Sequence, residues 1–303
     1  MNATHALALD PSTVATVIRD ACITDVRAFK PGNVSLESDG HGMHANDFIA
    51  SAVAMAGVIA TPSSGVGQRI LRAVEATRAV VPFNTNLGIV LLCAPLAQAA
   101  TDRMDEPSLH ERLRAVLAGL DRDDAELAYR AIRMAEPGGL GRSDRHDVAQ
   151  SPGVTLREAM NEARDRDRIA LQYVTGYRDI FETGLPALQD GLARWRSREW
   201  AAVHAYLIFL ARFADSHIAR KHGKEVAASV SLEARDLSQA LGRAGDPVRE
   251  MPALEAFDRQ LKARSINPGT TADLTVASLV AVDLEDSLEK VSRRSRAEVG
   301  ASG

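Results

Sequence analysis

Residues 81–96 read VPFNTNLGIVLLCAPL, and this stretch carries the pattern that decides the fold. The polar group Asn84-Thr85-Asn86 leads directly into an apolar run of helical length. Capping would account for one of these three side chains, so the group exceeds what a helix start needs. Free backbone N–H groups and the helix dipole make a helix N-terminus a natural site for anions. The stretch therefore predicts an apolar helix whose start faces a negatively charged ligand, with Gly88 allowing a close approach.

The composition of the chain favours helices throughout. Of its 303 residues, 46% are hydrophobic but only 4% are aromatic. Strands favour aromatic and β-branched side chains, so this composition indicates helices packed through small residues. Apolar side chains recur at three- and four-residue steps, and no segment alternates with period two over a useful length. We predict an all-α fold, a single bundle-like domain of many helices over residues 1–303 with a frayed polar tail at 292–303.

The charge balance limits the classes of partner. The formal net charge is −4, and no basic stripe with interleaved aromatic residues occurs, so we expect no nucleic-acid partner. No signal-like N-terminus occurs, and the longest apolar stretch, 49–60, is shorter than the roughly 20 residues of a membrane span. We expect a cytoplasmic protein without a membrane partner. Cys22 and Cys93 lie in apolar stretches without a CxxC spacing, which predicts two buried free thiols.

Four further polar loops resemble the group at 84–86, at residues 30–35, 136–147, 215–223 and 267–273. Each combines Asn, Ser, Thr, Lys, Arg, Asp or Gly with a turn or a helix start. A plain connection between helices needs only one or two turn residues. We therefore predict that the five loops meet around one polyanionic ligand and form its pocket.

Capping signals predict several helix starts. Asp121 is placed to cap one helix, and Thr155 with Glu158 three residues later forms a capping box. Asn46 is the candidate N-cap of an earlier helix. In the 267–273 loop, Thr270 or Thr271 would cap the last helix.

Two longer helices follow from periodicity. One is predicted over 198–221 and ends at Gly223, a suitable left-handed C-cap. The other is predicted over 161–173, where Asp165 and Asp167 stand two residues apart. Side chains at that spacing do not share a helix face, so only one of the two carboxylates can reach a common site.

Several polar residues have both a functional and a structural interpretation. Lys30 is a candidate cation for a phosphate, although a helix-ending turn would also explain its loop. Residues 39–47 hold two His and two Asp, but their spacing matches no fixed zinc signature. Asp215 follows an apolar run and is costly to bury unless it is paired. His217 is more typical of a helix histidine with a structural partner than of a catalyst.

Six segments in this order resemble the triphosphoribosyl-dephospho-CoA synthase family. They are KPGNVS, NTNLGIVLLCAPL, GGLGRSDRHDV, TLREAMNEARDRDRIALQY, DSHIARKHG and NPGTTADL, and the resemblance runs from about Ala21 to Leu279. The family is all-helical, so the resemblance implies a nucleotide pocket between the helices. The activity it implies joins the triphosphoribosyl part of ATP to the ribose 2′-hydroxyl of 3′-dephospho-CoA and releases adenine. The implied class is therefore an ATP-using transferase.

The resemblance also assigns roles. Cleavage of a ribose–adenine bond passes through an oxocarbenium-like state, and a carboxylate should take the proton of the attacking hydroxyl. ATP is then a substrate, and Mg²⁺ is expected with its triphosphate. The expected catalytic carboxylates are Asp147, Asp215 and Asp273, and the expected metal ligands are Asp147, Asp165 and Asp215. The expected contacts of the triphosphate are Lys30, Asn33, Ser35, Asn84, Thr85, Asn86, Arg142, Arg220 and Lys221.

One position departs from the family pattern. Synthases of the citrate lyase type place an acidic residue where this chain has Gly42, directly before Met43. A different acceptor, such as a precursor of a methanopterin- or methanofuran-type one-carbon cofactor, is therefore an alternative. Two others are a hydrolase that uses water as the acceptor and a helical nucleotide-binding module without catalysis. The Ala-rich helix faces also make a homodimer plausible.

Overall fold

The computed structural model describes residues 7–106, 108–139 and 145–301, without the side chains of residue 296 and of residues 298–301. Fourteen α-helices account for most of these residues. The only β pairing in the described ranges is three isolated bridges between single residues. The prediction of an all-α fold is confirmed.

Besides the α-helices, the chain has a π-helical segment at Ile180–Gly184 and a 3₁₀ turn at Pro247–Glu250. Their bounds are α1 (Pro11–Arg27), α2 (Ala45–Ile59), α3 (Val66–Val80), α4 (Leu87–Thr101), α5 (Leu109–Ala118), α6 (Arg122–Ala135), α7 (Leu156–Ala163), α8 (Arg168–Thr175), α9 (Leu185–Trp195), α10 (Arg198–Arg212), α11 (Ser216–His222), α12 (Lys224–Arg243), α13 (Met251–Ala263) and α14 (Gly269–Ala301).

Helix α4 forms the centre of the core. It packs against α3, α5 and α14, and nearly all of its residues are buried. A helix that is apolar on all sides requires such surroundings, and the apolar helix that the sequence predicts here is confirmed. Pro95 lies inside α4 and cannot donate a hydrogen bond to the Leu91 carbonyl four residues earlier. The Tyr173 hydroxyl donates to that carbonyl instead, at 2.6 Å, and so satisfies a buried acceptor.

Local capping was predicted well in two places. Asp121 caps α6 by accepting from the Asp124 N–H at 2.9 Å. Thr155 and Glu158 form the predicted capping box at the start of α7. The expected N-cap at Asn46 is wrong, because α2 begins at Ala45 and the Asp47 carboxylate accepts from the N–H of the preceding His44 at 2.8 Å.

Both longer helices were predicted wrongly, and a carboxylate explains each break. The segment 198–221 divides into α10 and α11 because Asp215 caps α11, accepting from the Ile218 N–H at 2.9 Å. The segment 161–173 divides into α7 and α8 because Asp167 caps α8, accepting from the Ile169 N–H at 2.9 Å. Periodicity continues across both breaks, which hides them in the sequence.

The last helix starts earlier than expected and extends far. Thr270 and Thr271 lie inside α14 rather than at its cap, since the helix begins at Gly269. It continues through most of the polar tail, as far as Ala301. Cys22 and Cys93 are buried and unpaired, as predicted. In the described part of the chain, no helix combines the length and the apolarity that crossing a membrane requires.

Candidate active site

A cavity of about 560 Å³ lies where the starts of α4, α8 and α14 meet. Its volume is within the range of about 300–1,000 Å³ usual for small-ligand sites. Each of the five polar loops contributes to its wall, through Asn33, Asn84, Glu136, Arg220 and Asn267 among others. The loops therefore meet as predicted, although they are far apart in the sequence.

The polar group at 84–86 borders the cavity, but each side chain also has a structural partner. Asn84 accepts from the Leu87 N–H at 3.0 Å and so caps α4. The Thr85 and Ser51 hydroxyls are 2.6 Å apart. The Asn86 amide donates to the Thr77 hydroxyl at 3.1 Å. Asn86 occupies the N-cap position of α4 but makes no side-chain capping bond, and the Thr85 and Asn86 side chains instead tie the start of α4 to α2 and α3.

Of the three residues expected from the 30–35 loop, only Asn33 borders the cavity, where its amide donates to Asn267 at 2.9 Å. Ser35 is buried away from the wall. The side chain of Lys30 is 0% exposed, and its amine lies 3.1 Å from an Asp25 carboxylate oxygen. Lys30 thus departs from its expected place, because its charge has its counterion inside the protein and does not face the cavity.

The cations of the cavity come from α11 and its neighbours. Arg220 and Lys221 line the wall as expected, and Arg220 pairs with Asp167 at 3.1 Å. Arg166 and Lys224 line it too. Sequence reasoning missed these two because each lies in a run of charges that resembles an exposed helix face. Arg142 lies outside the described residues.

Asp273 is the carboxylate with the most unusual surroundings. It lies one turn into α14 on the cavity wall, and it receives no hydrogen bond from the residues that the structure describes. Burial, followed by the charges of Asp215, Asp25 and Asp167, raises its pKa well above the ordinary value, and Arg220 opposes the rise only in part. These surroundings therefore favour the protonated carboxyl more than water does.

Gly88 explains how this carboxyl reaches its position. A Cβ added at Gly88 would lie 1.9 Å from Asp273 Oδ2 and 2.8 Å from Ile169 Cδ1. The sequence suggested that this glycine admits a ligand. In the structure, the space beside it holds the Asp273 carboxyl against the first turn of α4.

Of the other expected carboxylates, Asp147 lines the cavity with Asp273, whereas Asp215 and Asp165 do not. Asp215 is 2% exposed and off the wall, where it also accepts from the Thr271 N–H and hydroxyl at 2.7 and 2.8 Å. Its oxygens join α11 to α14, so its expected catalytic and metal roles do not fit its place. Asp165 is 92% exposed beside Arg164, whereas Asp167 lines the cavity. Asp147 lines it as expected and accepts from the Ala149 N–H at 2.8 Å.

A metal centre made of protein ligands alone is not found. Within the described ranges, no three His, Cys, Asp or Glu side chains lie close enough together to hold an ion. The expected set of Asp147, Asp165 and Asp215 is dispersed because Asp165 faces solvent and Asp215 caps a helix. The wall carries single carboxylates instead, notably Asp147 and Asp167.

His217 is a functional candidate that sequence reasoning undervalued. It lines the cavity against Gly269, and its buried Nε2 has no partner among the described residues. Burial, together with the nearby charges of Lys221 and Arg220, lowers its pKa to about 3. It therefore presents a neutral ring with a free hydrogen-bonding nitrogen. No pattern in the sequence distinguishes such a histidine from one with a structural partner.

Comparison with a family model identifies most of the chain. Residues 11–292 match the family described as ATP:dephospho-CoA triphosphoribosyl transferase (CitG). This match includes every segment that lines the cavity.

Individual relatives are distant. A 2-(5''-triphosphoribosyl)-3'-dephosphocoenzyme-A synthase of Pectobacterium atrosepticum is 26% identical over 187 residues, or 62% of this chain and only 52% of that protein. A Vibrio cholerae protein named a probable synthase of the same kind is 26% identical over 84% of this chain and 82% of its own length. A crystal structure of a triphosphoribosyl-dephospho-CoA synthase candidate from Archaeoglobus fulgidus has a TM-score of 0.58 and 22% identity, covering 78% of this chain and 97% of that one. That structure supports the fold.

Proposed function

Because the chain belongs to the ATP:dephospho-CoA triphosphoribosyl transferase family, we propose that it moves the triphosphoribosyl group of ATP to the ribose 2′-hydroxyl of 3′-dephospho-CoA. Adenine is the leaving group. The observation that carries this proposal is the Asp273 carboxyl, which has no hydrogen-bond partner among the described residues, has a raised pKa, and lines the same cavity as a set of cations.

The cations suit the triphosphate. Arg220 and Lys221 lie on α11, and Lys224 and Arg166 border the same side of the cavity. Asn84 and Asn33 add neutral polar groups near the start of α4. Arginine and lysine bind phosphate oxygens through charge-assisted hydrogen bonds. The anionic end of ATP would therefore lie toward α11, with the ribose carrying the reacting carbon toward Asp273.

The chemistry divides into two proton movements. The bond between ribose C1′ and adenine breaks, its electron pair stays on adenine, and a new C1′–oxygen bond forms to the acceptor. A departing purine leaves more readily when it receives a proton, and a carboxyl with a raised pKa can donate one. We assign this donor role to Asp273. The acceptor hydroxyl must also lose a proton, which needs a second group.

Magnesium would enter with the nucleotide. Mg²⁺ usually binds one or two carboxylates together with substrate phosphates and water. Single carboxylates spread along the cavity are therefore enough for Mg²⁺ bound to ATP, although they would not hold a metal without the nucleotide. Asp147 and Asp167 line the cavity and would hold the ion against the phosphates. When bound, the ion would neutralise phosphate charge.

The acceptor would approach from the side of residues 41–48. His41, Met43 and Phe48 line the cavity there, and a Cβ at Gly42 would meet no atom within 4 Å. Citrate lyase-type synthases have an acidic residue where this chain has Gly42. The missing acidic side chain favours a second candidate, the same transfer to a different acceptor of the one-carbon cofactor type.

The test is an incubation of the protein with ATP, Mg²⁺ and 3′-dephospho-CoA, followed by chromatography for free adenine. Adenine that appears only with an acceptor supports transfer, and its dependence on the acceptor chosen separates the two candidates. Adenine that forms equally without any acceptor indicates a hydrolase. Saturable ATP binding with no adenine under any condition indicates a binding module and refutes the proposal.

A further inference from the structure

Asp25, at the end of α1, has a free carboxylate oxygen. The residue is 6% exposed and borders the cavity. Its Oδ2 lies 3.1 Å from the Lys30 amine, while Oδ1 is buried and has no partner among the described residues. A buried carboxylate oxygen without a donor is unfavourable in a folded protein. The fold therefore leaves this oxygen available for a donor brought by a ligand.

Lys30 is fully committed to Asp25 and its neighbours. Its amine also donates to the backbone carbonyls of Asp25 and Ala28. A lysine ammonium has three N–H donors, so these three acceptors use all of them. Lys30 cannot contact a phosphate without breaking this arrangement, and its positive charge is directed at Asp25 alone.

Asp25 and Asp273 share the cavity but have different surroundings. Asp25 has a cation at ion-pair distance, and Asp273 has none so close among the residues that the structure describes. Burial raises the pKa of Asp25, while the Lys30 charge counteracts this rise. For Asp273 the neighbouring carboxylates add to the effect of burial. Two carboxyl groups whose surroundings separate their protonation states can act as a base and an acid.

We propose that Asp25, paired with Lys30, is the base that accepts the proton of the acceptor hydroxyl, while Asp273 supplies the proton to adenine. This assignment rests on the proposed transferase function. The acceptor oxygen forms its bond to C1′ as its proton passes to Asp25 Oδ1, and the C1′–adenine electron pair leaves with adenine. Adenine gains the proton that Asp273 loses. Proton exchange with water restores both carboxyl groups, so the reaction consumes no other reagent.

The decisive comparison uses a single and a double variant. Asp25→Asn removes the base but leaves Lys30 buried without a counterion, which alone could unfold the protein. The double variant Asp25→Asn/Lys30→Met removes both charges, and such neutral replacements are often tolerated. We expect the double variant to melt near the wild-type temperature and to bind ATP normally. Its kcat for adenine release should fall by about 10²- to 10⁴-fold, the usual contribution of a general base.

A matched control is Asp179→Asn. Asp179 is also a buried carboxylate paired with a cation, Arg168 at 2.9 Å, but it does not border the cavity. This variant should lower the melting temperature and keep the wild-type kcat.

The pH profile supplies a second readout. A general base gives an acidic limb to kcat/KM, which falls below the pKa of the base. Lys30→Met alone removes the counterion, so we expect the acidic limb to move to higher pH and the rate to recover partly in alkaline buffer.

A folded double variant with wild-type kcat would overturn the catalytic role of Asp25. The Asp25–Lys30 ion pair would then have only a structural role. Wild-type protein that releases no adenine would instead refute the transferase function, so the two failures are distinguishable.

Discussion

Gly88→Ala should impair catalysis far more than stability. The added methyl would lie 1.9 Å from Asp273 Oδ2, so the carboxyl must retreat by about 1.5 Å to reach the 3.4 Å of ordinary contact. A misplacement of about 1 Å in an active site can cost roughly 100-fold in rate. We therefore expect kcat for adenine release to fall at least about 100-fold.

The effect of Gly88→Ala on stability is the balance of two terms. Overpacking of a core costs about 1–3 kcal/mol, but alanine is about 0.5–1 kcal/mol better than glycine within a helix. The closest clash is with the end of a flexible side chain, which can rotate. A net loss of up to about 2 kcal/mol follows, which corresponds to a decrease of several degrees in melting temperature.

Gly57→Ala is the matched control for this substitution. Gly57 lies inside α2, and a Cβ there would meet nothing within 4 Å. This variant should gain about 0.5–1 kcal/mol from helix propensity and keep the wild-type kcat. Steady-state kinetics of adenine release and thermal melting of the three proteins make the comparison. A Gly88→Ala protein with wild-type kcat would refute the claim that the position of Asp273 governs the reaction.

Three other substitutions or treatments test separate parts of the account. Asp273→Asn should lower kcat by about 10²- to 10⁴-fold and remove the alkaline limb of kcat/KM, since a general acid loses its proton as pH rises through its pKa. The raised pKa keeps the Asp273 carboxyl protonated in the folded protein at pH values where the unfolded chain ionises it, so the stability of the wild type falls as pH rises from mildly acid to neutral. Asp273→Asn removes this carboxyl, so its stability should fall less over the same pH range. Melting curves of both proteins in a pH series measure the difference. Arg220→Ala should raise the Kd for ATP about tenfold or more, as measured by calorimetry. Asp165→Ala is the control, because this carboxylate is 92% exposed and its loss should leave the Kd unchanged. Equal effects of the two substitutions would contradict the placement of the triphosphate beside Arg220. A thiol reagent should modify neither Cys22 nor Cys93 until denaturant unfolds the protein. Burial hides both thiols from the reagent and raises their pKa, which lowers the fraction of reactive thiolate. Rapid reaction of the native protein would contradict the buried position of these two cysteines in α1 and α4.

Sequence patterns predicted the fold class, the apolar helix after Asn86 and the meeting of the five loops. These features follow from composition, period and the excess of polar residues at helix starts. The breaks at Asp167 and Asp215 were missed because the helical period continues through both aspartates and hides that each caps a new helix.

The candidate site was predicted in outline but not in its charge pairing. Asp273 and Arg220 were identified because each lies in a loop with more polar residues than a connection between helices needs. Lys30 was assigned to phosphate because a sequence does not show that Asp25, one helical turn away, neutralises it. His217 and Asp25 share a property that only coordinates reveal, which is a buried polar atom without a partner beside a cavity.

The central claim is that one cavity breaks the ribose–adenine bond of ATP and transfers the triphosphoribosyl group intact. Mass spectrometry of a reaction that contains ATP, Mg²⁺ and 3′-dephospho-CoA measures this directly when free adenine is quantified in the same sample. The account predicts one adenine for each acceptor molecule that gains a triphosphoribosyl group. Consumption of ATP to ADP or phosphate with no adenine and an unmodified acceptor would contradict it.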